Sequence, residues 1–337
     1  MHVSSQSGAL VISLDLELHW GVRDHRRADS SYGANLRGAR AAVPRMLAAF
    51  EKHQVAATWA AVGFLFARDR DELEAHFPSV RPSYGNSLLD PYCEPTGRNE
   101  REDPLHFGAS LLKAIAETPR QEIGSHTFSH YFCLEEGAGE ASFRCDLESA
   151  QRIARSTLGL EVKSLVFPRN QFQPGCLPVA AACGFLCYRG NRQGGLYRPV
   201  DTKGQSSLPH RALRLADAYL PLSPANSISW VDAAAQPSGL HDVRASRFLF
   251  PYRRRIGWAE APLRLRRIKQ EMRQAARLGR IYHLWWHPHN FGAHLDESLD
   301  GLAELLGEFS VLRENAGFRS LTMQEVGREA ARQAGAQ

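Results

Sequence analysis

Apolar, strand-like runs recur along this chain with helical patterns between them. The runs are residues 9–14 (ALVISL), 55–62 (VAATWAAV), 121–125 (QEIGS), 162–167 (VKSLVF), 184–189 (GFLCYR), 280–286 (RIYHLWW) and 317–321 (GFRSL). Apolar positions at helical spacing predict helices over 37–52, 109–117, 140–157, 174–183, 262–278, 297–313 and 322–333. Strands alternating with helices predict an α/β fold with a parallel sheet and crossover connections, and seven strands predict a closed or nearly closed barrel. Local punctuation agrees: Thr322 and Glu325 have capping-box spacing, Pro262 suits a first helical turn and Gly279 suits a helix C-cap. Two stretches break the alternation. Residues 77–108 are proline-rich, and residues 190–258 are rich in Gly, Pro, Ser and polar residues. Both read as insertions near the active-site face of one domain spanning 1–337.

The first strand poses a chemical question. It begins as a buried strand (Val11, Ile12, Leu14) but carries Asp15 and Glu17 near its end, with His19 two residues further on. Strand side chains alternate, so residues 15, 17 and 19 share one face and Leu14, Leu16 and Leu18 the other. In a parallel α/β architecture ligands gather at the C-terminal ends of strands, and that is where these carboxylates fall.

Composition narrows the classes. The 337 residues are 43% hydrophobic, enough for a substantial core. No signal-peptide pattern opens the chain and no apolar run approaches the ~20 residues of a membrane span, so a cytoplasmic location is expected. Six cysteines without a C-x-x-C pair predict neither a disulfide framework nor a zinc knuckle. The net charge of +5 is local. Between Arg244 and Arg280, twelve basic residues stand against Glu260 and Glu271, so this segment carries +10 and the rest of the chain −5. Its aromatic neighbours Phe248, Phe250, Tyr252 and Trp258 could stack bases, but no nucleic-acid motif accompanies them, and nucleic acid is not expected as a partner.

Three further strand ends carry unusual residues. In residues 122–132 (EIGSHTFSHYF), His126 and His130 are four apart, so a helical turn there would aim both imidazoles the same way. Two imidazoles and a carboxylate form a common divalent-metal set, although His-x-x-x-His alone also suits a surface helix and Asp15-x-Glu17 alone a capping or ion pair. In residues 164–172 (SLVFPRNQF), Arg169 follows the strand-stopping Pro168. It is either a surface ion-pair residue or a bidentate partner for a carboxylate. In residues 281–291 (IYHLWWHPHNF), His287 is fixed by Pro288 and is either a general acid or packed against Trp285 and Trp286.

Taken in order, these motifs resemble those of the polysaccharide deacetylases, the carbohydrate esterase family 4 or NodB-homology group. The matching segments are SLDLE, His126-Thr127-Phe128-Ser129-His130, FPRNQ and Leu284-Trp285-Trp286-His287-Pro288, with residues 57–63 (ATWAAVG) similar to the family's second strand. The resemblance runs from about residue 9 to residue 325. It implies a distorted (β/α)7 barrel with insertions, and a metal-dependent hydrolase that removes the N-acyl group, N-acetyl above all, from an amino sugar. By that resemblance Glu17, His126 and His130 bind one divalent metal, with Zn2+ expected ahead of Ni2+, Co2+ or Fe2+. Asp15 is the general base, Arg169 orients it, and His287 is the general acid. Leu284 walls the acyl pocket, and Trp286 and His289 join it in binding substrate. The family's usual pair is two adjacent aspartates, so the roles of Asp15 and Glu17 could be exchanged, and proline precedes rather than follows the arginine. The acidic partner of His287 is open among Asp201, Asp217 and Asp232.

A cytoplasmic enzyme would meet a precursor of polysaccharide or glycolipid biosynthesis, an acylated amino sugar on a nucleotide or lipid diphosphate. Arg253, Arg254 and Arg255 are candidate ligands for such a carrier, since the guanidinium fork suits phosphate; the same arginines also suit a weak membrane-surface contact at ~1 kcal/mol per basic residue. Alternative readings are an N-deformylase or another non-peptide amide hydrolase on this fold, including a metal-independent one, and a non-catalytic carbohydrate-binding protein on a decayed scaffold. The oligomeric state is left open.

Overall fold

The computed structural model describes residues 7–194, 201, 225–234, 238–252 and 260–334. Its centre is β1 (Ala9–Leu16), buried along its whole length. β1 pairs in parallel with β2 (Ala57–Ala61) through Ser13–Leu16, and β2 with β3 (Gln121–Ser125). The sheet continues through β4 (Ser164–Leu165), β5 (Cys187–Tyr188) and β6 (His241–Asp242). On the other edge of β1 lies β8 (Ile281–Trp286), followed by β7 (Arg247–Phe248). All these pairings are parallel.

The two outermost strands, β6 and β7, are consecutive in sequence. A single passage of chain, 241–248, therefore starts beside β5 and ends beside β8, joining the sheet's two edges. Between them the Ala245 amide donates to Gly190 O (2.9 Å) and the Ser246 amide to His283 O (2.8 Å). Counted this way the ring has seven staves, the distorted (β/α)7 barrel expected. One stave differs from expectation. The run at 317–321, predicted as a strand, forms β9 (Arg319–Leu321), which among the described residues pairs only with Ala9–Val11 at the start of β1, below β2. The seventh stave comes instead from the stretch expected to be an insertion, 190–258. Each half of it pairs for only two residues, too short to leave a readable alternating pattern.

Among the described residues the α-helices are α1 (Gly33–His53), α2 (Arg70–Ala75), α3 (Ala109–Glu117), α4 (Glu140–Leu158), α5 (Cys176–Ala182), α6 (Trp230–Ala234), α7 (Glu260–Arg277), α8 (Leu295–Ala316) and α9 (Met323–Ala334). The capping box at 322–325 forms, with Thr322 N donating to Glu325 Oε2 (2.8 Å) and Glu325 N to Thr322 Oγ1 (3.1 Å). Gly279 ends α7's turn at φ 63°, where a Cβ would be strained. Among the described residues no helix is long and apolar enough to cross a membrane. All six cysteines are free.

Strand alternation separates two cores. Leu10, Ile12, Leu14 and Leu16 face outward onto Ala42, Val43, Met46 and Phe50 of α1. Each fully buried aliphatic side chain there contributes about 1.5–3 kcal/mol. Ala9 and Val11 face inward, in a smaller cluster with Ile228, Trp230 and the α9 residues Met323, Val326 and Ala330, which plugs the N-terminal mouth of the barrel. Further along the same inward column come Ser13, Asp15 and then Glu17. The barrel interior thus changes from apolar to ionisable toward the C-terminal strand ends.

Candidate active site

Glu17, first residue after β1, and Asp15, inside it, are both 3% exposed. Two carboxylates this deep need compensation. Each has its own. Arg189, next after β5, is 1% exposed and grips Asp15 with both arms, at 2.6 Å (Nη1 to Oδ1) and 2.8 Å (Nη2 to Oδ2). The guanidinium lies over the Trp285 ring at 4.0 Å. Nη1 also donates to Ser13 Oγ (3.0 Å), and Ser13 Oγ meets His283 Nε2 at 2.8 Å. His283 Nδ1 faces the Val243 carbonyl at 2.8 Å and so carries its proton there. This buried chain fixes Arg189, and Arg189 fixes Asp15. Burial pushes the Asp15 carboxyl up, but Arg189, with His126 and His287, holds it below its ordinary value.

The arginine expected to orient Asp15 was Arg169, and here the structure corrects the sequence reading. Arg169 donates to Asp24 Oδ1 at 2.5 Å and lies over the Phe132 ring at 4.7 Å. Its left-handed backbone (φ 53°) turns it toward the loop after β1. Arg189 was visible as the residue ending the strand-like run 184–189, in the same terminal position that singled out the other site residues.

Glu17 gathers histidines. Its Oε2 lies 3.4 Å from His126 Nε2 and 3.2 Å from His130 Nε2. The three side chains form a buried group whose ligand atoms lie within 4.8 Å of one another. Gly21 makes room for it: a Cβ there would sit 2.0 Å from Glu17 Cδ. Burial pushes the Glu17 carboxyl up, yet His287, His126 and His130 bring it well below its ordinary value. Burial also lowers His130 to about 4, against the pull of Glu17, so its ring is neutral at pH 7, the state that donates a lone pair to a metal.

The two histidines do not share a helical turn. Residues 126–130 are irregular, with Thr127 (φ 62°) and His130 (φ 59°) left-handed. A β-branched residue there is strained, and buried Asp146 of α4 compensates by accepting from the Phe128 (2.7 Å) and Ser129 (3.1 Å) amides and from the Ser129 hydroxyl. Of the seven described non-glycine residues with positive φ, five (Leu18, Thr127, His130, Arg169, Asn170) lie just past the strand ends that build this site. Leu18 (φ 46°) also breaks the expected alternation, so His19 turns away from Asp15 and Glu17 and contacts Arg26 O and His106 instead.

The donor set fits a divalent ion. His126 Nδ1 faces the Val166 carbonyl at 2.9 Å and so holds the proton, which leaves a lone pair on Nε2. That Nε2 is buried and makes no hydrogen bond among the described residues, although it points at Glu17. A buried lone pair that faces a carboxylate rather than a donor suits a cation held between the two.

His287 closes the site from β8. Its Nε2 is 3.7 Å from Asp15 Oδ2 and 3.6 Å from Glu17 Oε1. Asn290 Oδ1 accepts from Tyr32 Oη (3.3 Å), which aims Asn290 Nδ2 at His287 Nδ1 (3.3 Å) and places the imidazole proton on Nε2. The carboxylate of Asp232, one of the candidate acidic partners, accepts from the Ser229 amide (3.4 Å) at the start of α6. His289 is 3% exposed behind His287, 4.0 Å from Glu17, with its basicity lowered to about 4 by burial and by His287.

Two expected pocket residues are misplaced by one step of the strand. Leu284 and Trp286 face outward with Tyr282 into the helix-side core, Trp286 stacking on Phe291 with ring centroids 5.9 Å apart. The inward residues of β8 are His283 and Trp285. Trp285 and Phe248 flank His287 with ring centroids 5.6 and 5.7 Å away. Arg253, Arg254 and Arg255 lie outside the described residues.

Residues 33–188, just under half of the chain, match the family model for polysaccharide deacetylase. Among solved structures, the chain is similar to a putative polysaccharide deacetylase from Mycobacterium smegmatis, at 14% identity and TM-score 0.58, covering 98% of this chain and 92% of that one. It is also similar to the chitin deacetylase of the fungal pathogen Colletotrichum lindemuthianum (11% identity, TM-score 0.46, 96% and 88% covered). A CE4 family pseudoenzyme from Bacillus anthracis matches at 12% identity and TM-score 0.43, with 97% and 66% covered. No curated protein sequence matches the chain.

Proposed function

We propose that the chain, whose residues 33–188 match the polysaccharide deacetylase family model, is a hydrolase that removes the N-acetyl group of an amino sugar with a divalent ion held by Glu17, His126 and His130. The observation that carries this reading is the buried, unpaired Nε2 of His126 beside Glu17, with an ionised carboxylate and a protonated imidazole nitrogen in the same mouth. The ion would supply Lewis acidity toward both water and the acyl oxygen. Asp15 accepts the proton of the attacking water. Arg189 keeps Asp15 ionised and holds its plane. His287, once protonated on both ring nitrogens, would give its Nε2 proton to the departing nitrogen and be left as the neutral ring. Trp285 and Phe248 offer aromatic faces to the sugar ring. Glu17 rather than Asp15 stands with both histidines, which favours Glu17 as ligand and Asp15 as base.

The finer reading is a precursor in the cytoplasm, its sugar still on a nucleotide or lipid diphosphate. It is supported by the run Arg253–Arg255, which follows Phe248 at the rim of the site by five residues. The test of the main reading is Asp15→Asn: metal content should stay at the wild-type level while acetate release from N-acetylglucosamine oligomers falls. Loss of metal in Asp15→Asn with retention in Glu17→Gln would reverse the two roles.

A further inference from the structure

Past the turn at Leu18 a second histidine–carboxylate cluster lies outside the deacetylation chemistry. His19, 6% exposed, faces His106, 7% exposed, from the proline-rich segment 77–108. His19 Nδ1 and His106 Nε2 are 3.0 Å apart, and Glu94 Oε1 is 3.8 Å from His106 Nε2. The ligand atoms of the three residues lie within 4.8 Å of one another.

The outer nitrogens decide where the protons are. His19 Nε2 faces the carbonyl of Arg26 at 2.9 Å, and a carbonyl only accepts, so Nε2 carries the proton. His106 Nδ1 faces Asp103 Oδ2 at 2.8 Å. Burial raises the Asp103 carboxyl, but His106 and the Gly97 and Leu105 amides hold it at about 2; it is ionised and accepts from Nδ1–H. Both rings therefore turn bare lone pairs toward each other at hydrogen-bond distance. Neutral imidazoles in that state repel, and something positive must sit between them. Imidazole nitrogens on a tetrahedral zinc stand roughly 3.3 Å apart, so the pair needs to open by only ~0.3 Å. Asp103 behind His106 repeats the carboxylate–histidine arrangement that orients metal-bound imidazoles. Arg23 holds the other oxygen of Glu94 (3.7 Å) and leaves Oε1 for the pair.

We propose that His19, His106 and Glu94 form a second divalent-cation site, of the zinc class, that clamps segment 77–108 onto the end of β1. The segment already meets that turn through His19 N to Leu105 O (3.1 Å) and Trp20 Nε1 to His106 O (2.8 Å). A cation there fixes the loop carrying Glu17 and Gly21 without touching the site they build. The proposal does not rest on the deacetylase reading.

The test uses the full chain with the first site emptied. A His126→Ala/His130→Ala double variant, loaded with Zn2+ and dialysed, should retain about one equivalent by mass spectrometry. Adding His106→Ala should remove it, and adding Asp103→Asn, which keeps the ligands, should weaken it about 10–100-fold. Zn2+ should also raise the Tm of the double variant and slow proteolysis within 77–108. If the folded double variant holds no zinc, and its Tm ignores Zn2+, the pair shares a proton instead and the proposal is overturned.

Discussion

The two histidine–carboxylate clusters begin two residues apart just past the end of β1, and the turn at Leu18 sends them in different directions. Glu17 follows β1, and His126 and His130 follow β3, on either side of β2; around them stand an arginine-clamped carboxylate and the His287 imidazole. His19, Glu94 and His106 join one strand end to an irregular segment, and their remaining neighbours, Arg23, Asp103 and the Arg26 carbonyl, all act to orient them. Under the two proposals, similar ligand chemistry would carry different consequences: a base and an acid within reach would make the first a reaction site, and their absence among the described neighbours of the second would make it a fastening.

The comparison breaks first at Asp15. Asp15→Asn should keep the metal and lower kcat by ~10²–10⁴, the usual worth of a positioned base, measured as acetate release. His287→Asn should also retain metal and lower kcat about 10²-fold; full activity would remove His287 as the acid. Arg189→Met should cost about 3–5 kcal/mol of stability in denaturant unfolding because it strands Asp15 in the barrel, whereas Arg169→Met should leave Asp15 paired and cost less. Equal losses in the two variants would erase the distinction drawn between them.

Acid sharpens the picture of the interior. Burial, helped by Arg189, lowers His283 to about 3, so the folded state keeps it neutral while the unfolded chain takes up a proton below about 6.5. The unfolded state then binds more protons, and the His283 share of stability should fall as pH drops, by about 1.6 kcal/mol between pH 6.5 and 5, in addition to the similar shares of His130 and His289. His283→Gln should flatten that slope in denaturant titrations at the two pH values. The smallest effect belongs to the basic run: replacing Arg253, Arg254 and Arg255 should raise KM a few-fold for a diphosphate-linked acylated sugar and leave a neutral analogue unchanged.

Much of this was legible in the sequence. The strand runs and long helices are where periodicity placed them, and the shared face of Asp15 and Glu17 followed from alternation alone. What was lost has specific causes. Arg189 and Arg169 both follow strand ends, and which one reaches Asp15 is set by the neighbouring staves and by a left-handed backbone at Arg169 that its residue type does not announce. The stave at 241–248 makes two pairs on each side, too few to imprint a pattern. Leu284 and Trp286 were recoverable: counting back by two from His287 gives Trp285 and His283 as the inward residues. His19 was assigned to the wrong face because alternation stops at Leu18, whose positive φ is sterically unexpected for leucine.

The central claim is that hydrolysis runs through a metal held by Glu17, His126 and His130. The direct measurement is acetate release from N-acetylglucosamine oligomers by the purified protein, by the protein stripped with chelator, and by the stripped protein refilled with Zn2+, each with metal content determined on the same sample. Activity should vanish on stripping and return on refilling in wild type, and fail to return in His126→Ala. Undiminished acetate release from protein shown to be metal-free would contradict the account.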